Sequence, residues 1–246
     1  MKYKKYLFEI ITIISSAVII IASEIIFSVL GLTEKGKIYL PILAILSSIF
    51  GIVYISLCVK NNKYALLFGV LNNLFYGVIS IFNQTYLIAA YALLYCIPIM
   101  IIGLVKRKNN KTDLKHMTKK LVFLAITIFI IAAVAFTGVL FLLNKYVLDA
   151  SHQSNYIFLD GPTIALLLVS LFLLTNQYIE CYIFFGIANI AGCVMNVLLT
   201  VNVSITNLPL VVMWIIYLVC GIMGYFSWTK LYNTLHNEVT LEEKRK

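Results

Sequence analysis

The charges of this 246-residue chain fall in bunches, and between the bunches run uncharged apolar stretches, most of them about twenty residues long. That spacing constrains the fold more than any motif does. A bilayer's hydrocarbon core is crossed by a helix of ~20 apolar residues, which satisfies its own backbone groups there. By this ruler, spans are expected at 7–31, 38–59, 64–82, 85–105, 121–143, 161–176, 178–200 and 208–228. The sixth is the shortest, and Asp160-Gly161-Pro162 marks its start, with Pro162 in the first turn, where its missing N–H does no harm. With 62% apolar and 12% charged residues and a mean hydropathy of +0.97, a soluble domain of this length could not hide its apolar surface. The expected fold is an all-α integral membrane protein of seven or eight transmembrane helices.

The net charge of +9 invites a nucleic-acid reading, but the distribution opposes it. Across eight spans, sixteen of the nineteen Lys and Arg residues fall on one face, and only Lys35, Lys37 and Lys145 on the other. Such asymmetry places both termini in the cytoplasm. The stretch "KRKNNKTDLKHMTKK" at 106–120 then reads as a topology anchor beside anionic headgroups. The opening "MKYKKYLF" resembles a signal peptide, but the apolar run after it is long and lacks a small-residue cleavage pattern. It is read as a retained first helix, in which Glu24 is an unusual charge at depth.

The catalytic inventory is thin. Cys58, Cys96, Cys181, Cys193 and Cys220 are scattered through the spans as small packing residues. His116, His152 and His236 are read as lying in polar connections, and no metal site, catalytic residue or cofactor cradle can be assembled. Asp113, Asp149 and Asp160 lie in connections or at a span entrance, and Glu180 begins its helix, where a carboxylate suits the dipole. With no carboxylate expected at mid-membrane between 38 and 228, a passive carrier is the simplest mechanism.

Two regions echo each other. "NNKYALLFGVLNNLFYGV" at 61–78 and "NQYIECYIFFGIANIAGCV" at 176–194 both carry Phe-Gly-x-x-Asn: Phe68, Gly69 and Asn72 against Phe185, Gly186 and Asn189. Each is the middle of three spans, with 121–143 between the triplets. The expected plan is two parallel three-helix repeats joined by a linker helix (3-1-3), plus an extra N-terminal helix. The boundaries follow: 1–37 first helix and connection, 38–105 first repeat, 106–160 basic loop, linker and outer loop, 161–230 second repeat, 231–246 cytoplasmic tail. Parallel repeats of this kind hold a solute between their halves near the midplane.

Polar residues line the helices at helical spacing. Asn189 and Asn196 are seven residues apart and share a face with Tyr182, with Phe185 beside it. Asn72, Tyr76 and Asn83 make a comparable row, Tyr91 and Tyr95 lie on the fourth span, and Trp214 and Tyr217 on the last. Amides and aromatic rings suit a neutral or weakly charged heteroaromatic solute, the rings stacking and the amides reading its edge. The competing reading is helix–helix adhesion, worth roughly 0.6–2 kcal/mol per bond. Trp228 and Tyr232 read as interfacial belt aromatics, and Gly186, Gly192, Gly221 and Gly224 as close-packing positions.

"KNNKYALLFGVLNNLFYG" with "TYLIAAYALLY", and "QYIECYIFFGIAN" with "GYFSW", resemble the PnuC family of vitamin-precursor transporters over about residues 40–230. The resemblance implies a three-one-three plan, import of nicotinamide riboside by facilitated diffusion, trapping by a cytoplasmic kinase, and a trimer in the cytoplasmic membrane. Relatives take thiamine, riboflavin or deoxynucleosides. It carries Asn72, Asn189, Tyr182 and Phe185 over as solute contacts; Asn196, Tyr76, Tyr91 and Tyr217 come from helical spacing alone. Tyr182 and Phe185 stand where the family has tryptophans, the Gly-Trp after the first triplet is absent at Gly103, and the fourth span lacks the family's Gln. Those departures bear on the solute more than the fold. A non-transporting membrane subunit or sensor, and a carrier or exporter for another solute, are the rival functions.

Overall fold

The computed structural model describes residues 39–82, 86–109, 113–146, 157–202 and 208–243. The expected span at 7–31, with Glu24, lies outside the described residues. Among the described residues the chain forms seven helical rods: α1 (Tyr39–Val59), α2 (Ala65–Phe82), α3 (Tyr86–Ala90, Tyr91–Cys96 and Ile97–Asn109 in continuous succession), α4 (Lys119–Tyr146), α5 (Ile157–Thr175), α6 (Cys181–Asn202) and α7 (Leu208–Glu243). Five are long and apolar enough to cross a membrane, and Ile45–Val59 and Cys181–Met195 are shorter apolar stretches. This is a multi-pass, all-helical membrane protein. Among the described residues the only extended pairing is one parallel bridge between Lys115 and Tyr178.

Three local features depart from expectation. Helix α5 begins at Ile157, so Pro162 sits inside it, past the first turn. The earlier start is compatible with a close crossing at Gly161, where an added Cβ would strike Thr137 of α4. Helix α7 runs to Glu243; at ~1.5 Å per residue its 36 residues far exceed a ~30 Å core, so the tail continues the span as helix. In α3, Tyr91–Cys96 adopts the wide π-helical turn just before Pro98. Proline has no N–H to return to the preceding turn, and a widened turn accommodates the break.

The packing falls into two groups. Helix α2 packs on α1 and α3; α6 packs on α5 and α7; the groups meet where α1 touches α7 and α3 touches α5. Helix α4 leans chiefly on α5, with only Ala125 and Leu140 buried along its length.

The two groups match in detail. Helices α1 and α5 end in the same Schellman motif, with Asn61 at φ 50° and Gln177 at φ 63° as the left-handed residues. Asn62 N donates to Leu57 O and Asn61 N to Cys58 O; Tyr178 N donates to Leu173 O and Gln177 N to Leu174 O. Close approaches recur too. A Cβ on Gly103 would meet Leu66, and one on Gly224 would meet the Tyr182 ring; Gly77 faces Leu93 as Gly192 faces Trp214. In these contacts Leu66 and Tyr182 stand 116 residues apart in the chain, and Gly77 and Gly192 stand 115 apart.

Candidate functional site

The expected site residues do not form one cluster. Asn72, Tyr76 and Tyr217 gather where α1, α2 and α7 meet. The Asn72 amide donates to Ser47 O at 2.7 Å and to Ser47 Oγ at 3.1 Å. At Gly51 an added Cβ would lie 2.9 Å from Asn72 Nδ2 and would also strike the Tyr217 hydroxyl. Glycine is what lets these two polar groups approach across the bundle. Tyr76, one turn beyond Asn72, is within electrostatic range of Asp160 and of Tyr217. Trp214 sits edge-on to Tyr217 with centroids 6.4 Å apart, and Phe50 stacks on Phe75 at 5.7 Å.

Asn189 lies in the other group. It is 2% exposed, an added Cβ on Gly221 of α7 would be 3.8 Å from its Nδ2, and its carboxamide makes no hydrogen bond among the described residues. Asn73 is satisfied by Gly69 O at 2.8 Å and leans on Met100 sulfur. An amide left unpaired in an apolar interior costs about 1–3 kcal/mol, so Asn189 is the amide here that a ligand would repay most. Both Asn72 and Asn189 stand eleven residues past a left-handed turn residue or its neighbour, roughly 16 Å into a ~30 Å core at 1.5 Å per residue.

Tyr182 and Trp228 serve elsewhere, at the basic end. The Tyr182 hydroxyl and the Trp228 indole N–H both donate to Cys58 O, at 2.9 and 2.8 Å, and the rings meet edge to face at 5.1 Å. Trp228 is fully buried. It is a tie between the groups rather than a belt aromatic. Across the bundle, Arg107 Nη2 donates to Leu174 O at 2.7 Å, and Tyr95 donates to Leu168 O at 2.8 Å. Arg107 is 7% exposed, so this member of the basic stretch turns inward.

Residues 113–117 of that stretch fold back on the α5–α6 turn. Lys115 N donates to Gln177 O and Ile179 N to Lys115 O, both at 3.1 Å. Asp113 N donates to Gln177 Oε1. Glu180 pairs with His116 Nδ1 at 2.8 Å and accepts from Met117 N at 3.1 Å. The Asp113 carboxylate at 2.8 Å holds the Lys115 ammonium above its ordinary range. His236 stacks on Tyr232 within α7, and His116 lies edge-on to the same ring.

Of the remaining expected residues, Tyr91 stacks on Tyr95 at 5.8 Å in the wide turn of α3, and Phe185 is half-buried against the core. The Asn196 side chain lies outside the described residues. Gly186 meets nothing within 4 Å; it opens on a shallow apolar groove between α6 and α7 and serves no close crossing. Among the described residues no three His, Cys, Asp or Glu side chains are placed to hold a metal ion.

A family model described as nicotinamide mononucleotide transporter matches residues 41–230. The chain belongs to that family, the PnuC transporters. It is 24% identical over 194 residues to the nicotinamide riboside transporter PnuC of Neisseria mucosa, covering 77% of this chain and 72% of that one. The crystal structure of the vitamin B3 transporter PnuC superposes with a TM-score of 0.63, covering 89% of this chain and 92% of the other at 22% identity. The family match and the superposition agree on the helical membrane fold.

Proposed function

We propose that this PnuC-family protein carries nicotinamide riboside, or a closely similar heteroaromatic nucleoside, into the cell by facilitated diffusion, with phosphorylation inside preventing return. The basic end, which collects most of the chain's lysines, faces the cytoplasm in this reading. The matched turns, glycine contacts and α1–α7 and α3–α5 junctions support two like-oriented three-helix units with α4 as linker and the solute between them. Asn72, Tyr76 and Tyr217 offer an amide and two phenols on one side of the path, and Asn189 an amide on the other.

The observation that carries the proposal is the Asn189 side chain, 2% exposed and without a hydrogen bond among the described residues. An adhesive asparagine would have found a partner. Asn189→Ala should therefore abolish saturable uptake of radiolabelled nicotinamide riboside while leaving insertion and melting temperature unchanged or slightly raised. Undiminished uptake by a correctly inserted variant would refute the assignment. Uptake into vesicles that collapses with a proton ionophore, with trapping controlled for, would refute the passive mechanism.

A further inference from the structure

Arg107 is one of only two arginines in the chain, and its burial is incompletely compensated. Nη2 reaches Leu174 O, but Nε and Nη1 are buried without a hydrogen-bond partner among the described residues. The Trp228 ring lies 6.0 Å from Cζ, and its indole N–H is committed to Cys58 O. A guanidinium does not shed its proton, so the charge cannot be relieved by neutralisation, and buried charge without a partner is among the costliest arrangements a protein holds.

Nothing described at this end supplies the missing negative charge. Asp113 is held by Lys115, and Glu180 by His116 and the Met117 N–H. The carbonyl at the end of α5 offers only a partial charge. Lys106, Lys115, Lys119 and Lys120 at this end are exposed and raise the local concentration of anions.

We infer that Arg107 is the seat of an oxyanion site at the basic end, taking a phosphate group whose oxygens accept from Nε and Nη1. Guanidinium donors match phosphate geometry, which a lysine does not. The phosphate belongs either to a small soluble species, such as inorganic phosphate or a phosphomonoester, or to a lipid headgroup. The site stands whichever solute the bundle carries.

Thermal unfolding of the purified full chain in neutral detergent tests it, with sodium phosphate replacing sodium chloride at constant ionic strength, and phosphatidylglycerol added to chloride buffer in a second arm. Expected is a saturable rise in melting temperature that survives in Lys119→Gln/Lys120→Gln and vanishes in Arg107→Gln. A rise in the phosphate arm assigns a soluble ligand; a rise in the lipid arm alone assigns a headgroup. Should Arg107→Gln not fold, Arg107→Lys replaces it, with the half-maximal concentration raised about tenfold as a point charge replaces the planar fork. The inference is overturned if neither arm shifts the wild type, if the Arg107 variants shift equally, or if the effect disappears with Lys119 and Lys120.

Discussion

The turns after α1 and α5 share one backbone and serve different clients. Both end in a left-handed residue with the same pair of hydrogen bonds, and in both the carbonyl three residues before that residue binds a side chain from the opposite group. At Cys58 the donors are neutral, the Tyr182 hydroxyl and the Trp228 indole. At Leu174 the donor is the Arg107 guanidinium. Helix C-termini carry about half a negative charge, so either chemistry suits the position. The difference shows that the backbone echo outlasts the side chains that use it.

Removing the largest client should break the comparison hardest. Trp228→Ala vacates a fully buried ring, strips the cover from Arg107 and frees Cys58 O, and should cost about 3–5 kcal/mol, read as lost thermal stability in detergent. A loss below about 1 kcal/mol would show that the ring is not a tie. The turns themselves offer a finer test. Asn61 sits in left-handed backbone and its Oδ1 is buried and unpaired, so Asn61→Gly should stabilise by about 1 kcal/mol. Gln177→Gly gains the same backbone relief but loses the Asp113 N–H contact, and should come out near neutral; equal gains at both sites would erase the distinction. Tyr182→Phe leaves Trp228 on Cys58 O and should cost about 0.5–1.5 kcal/mol. The smallest effect belongs to the exposed Lys115–Asp113 pair: Asp113→Asn should change stability by less than about 0.5 kcal/mol at neutral pH. Because this pairing raises the Lys115 folded-state titration, its contribution is present below the ordinary lysine range and fades as pH rises through the elevated one.

The spans were legible because hydropathy is a property of the segment itself, and Phe-Gly-x-x-Asn could be read as an echo because it recurs in α2 and α6. What stayed hidden depends on distant neighbours. Arg107 lies amid headgroup-type lysines, and no window average separates one inward-turning cation from exposed ones such as Lys106, Lys119 and Lys120. Trp228 sits at belt height, and only the α1 carbonyl at Cys58 explains why it turns inward. Asn72 and Asn73 adjoin, and only packing shows that Asn73 is the one that leans on Met100 of α3. Nor could a sequence window show that Ser47, on another helix, holds the Asn72 amide in place.

Helix α4 leans chiefly on α5, while residues 113–117 are strapped to the turn between α5 and α6. The covalent bridge between the two units is therefore already fastened to the second of them from Asp113 onward. Any reorientation of the α1–α3 group against the α5–α7 group would have to carry residues 113–146 along with the second.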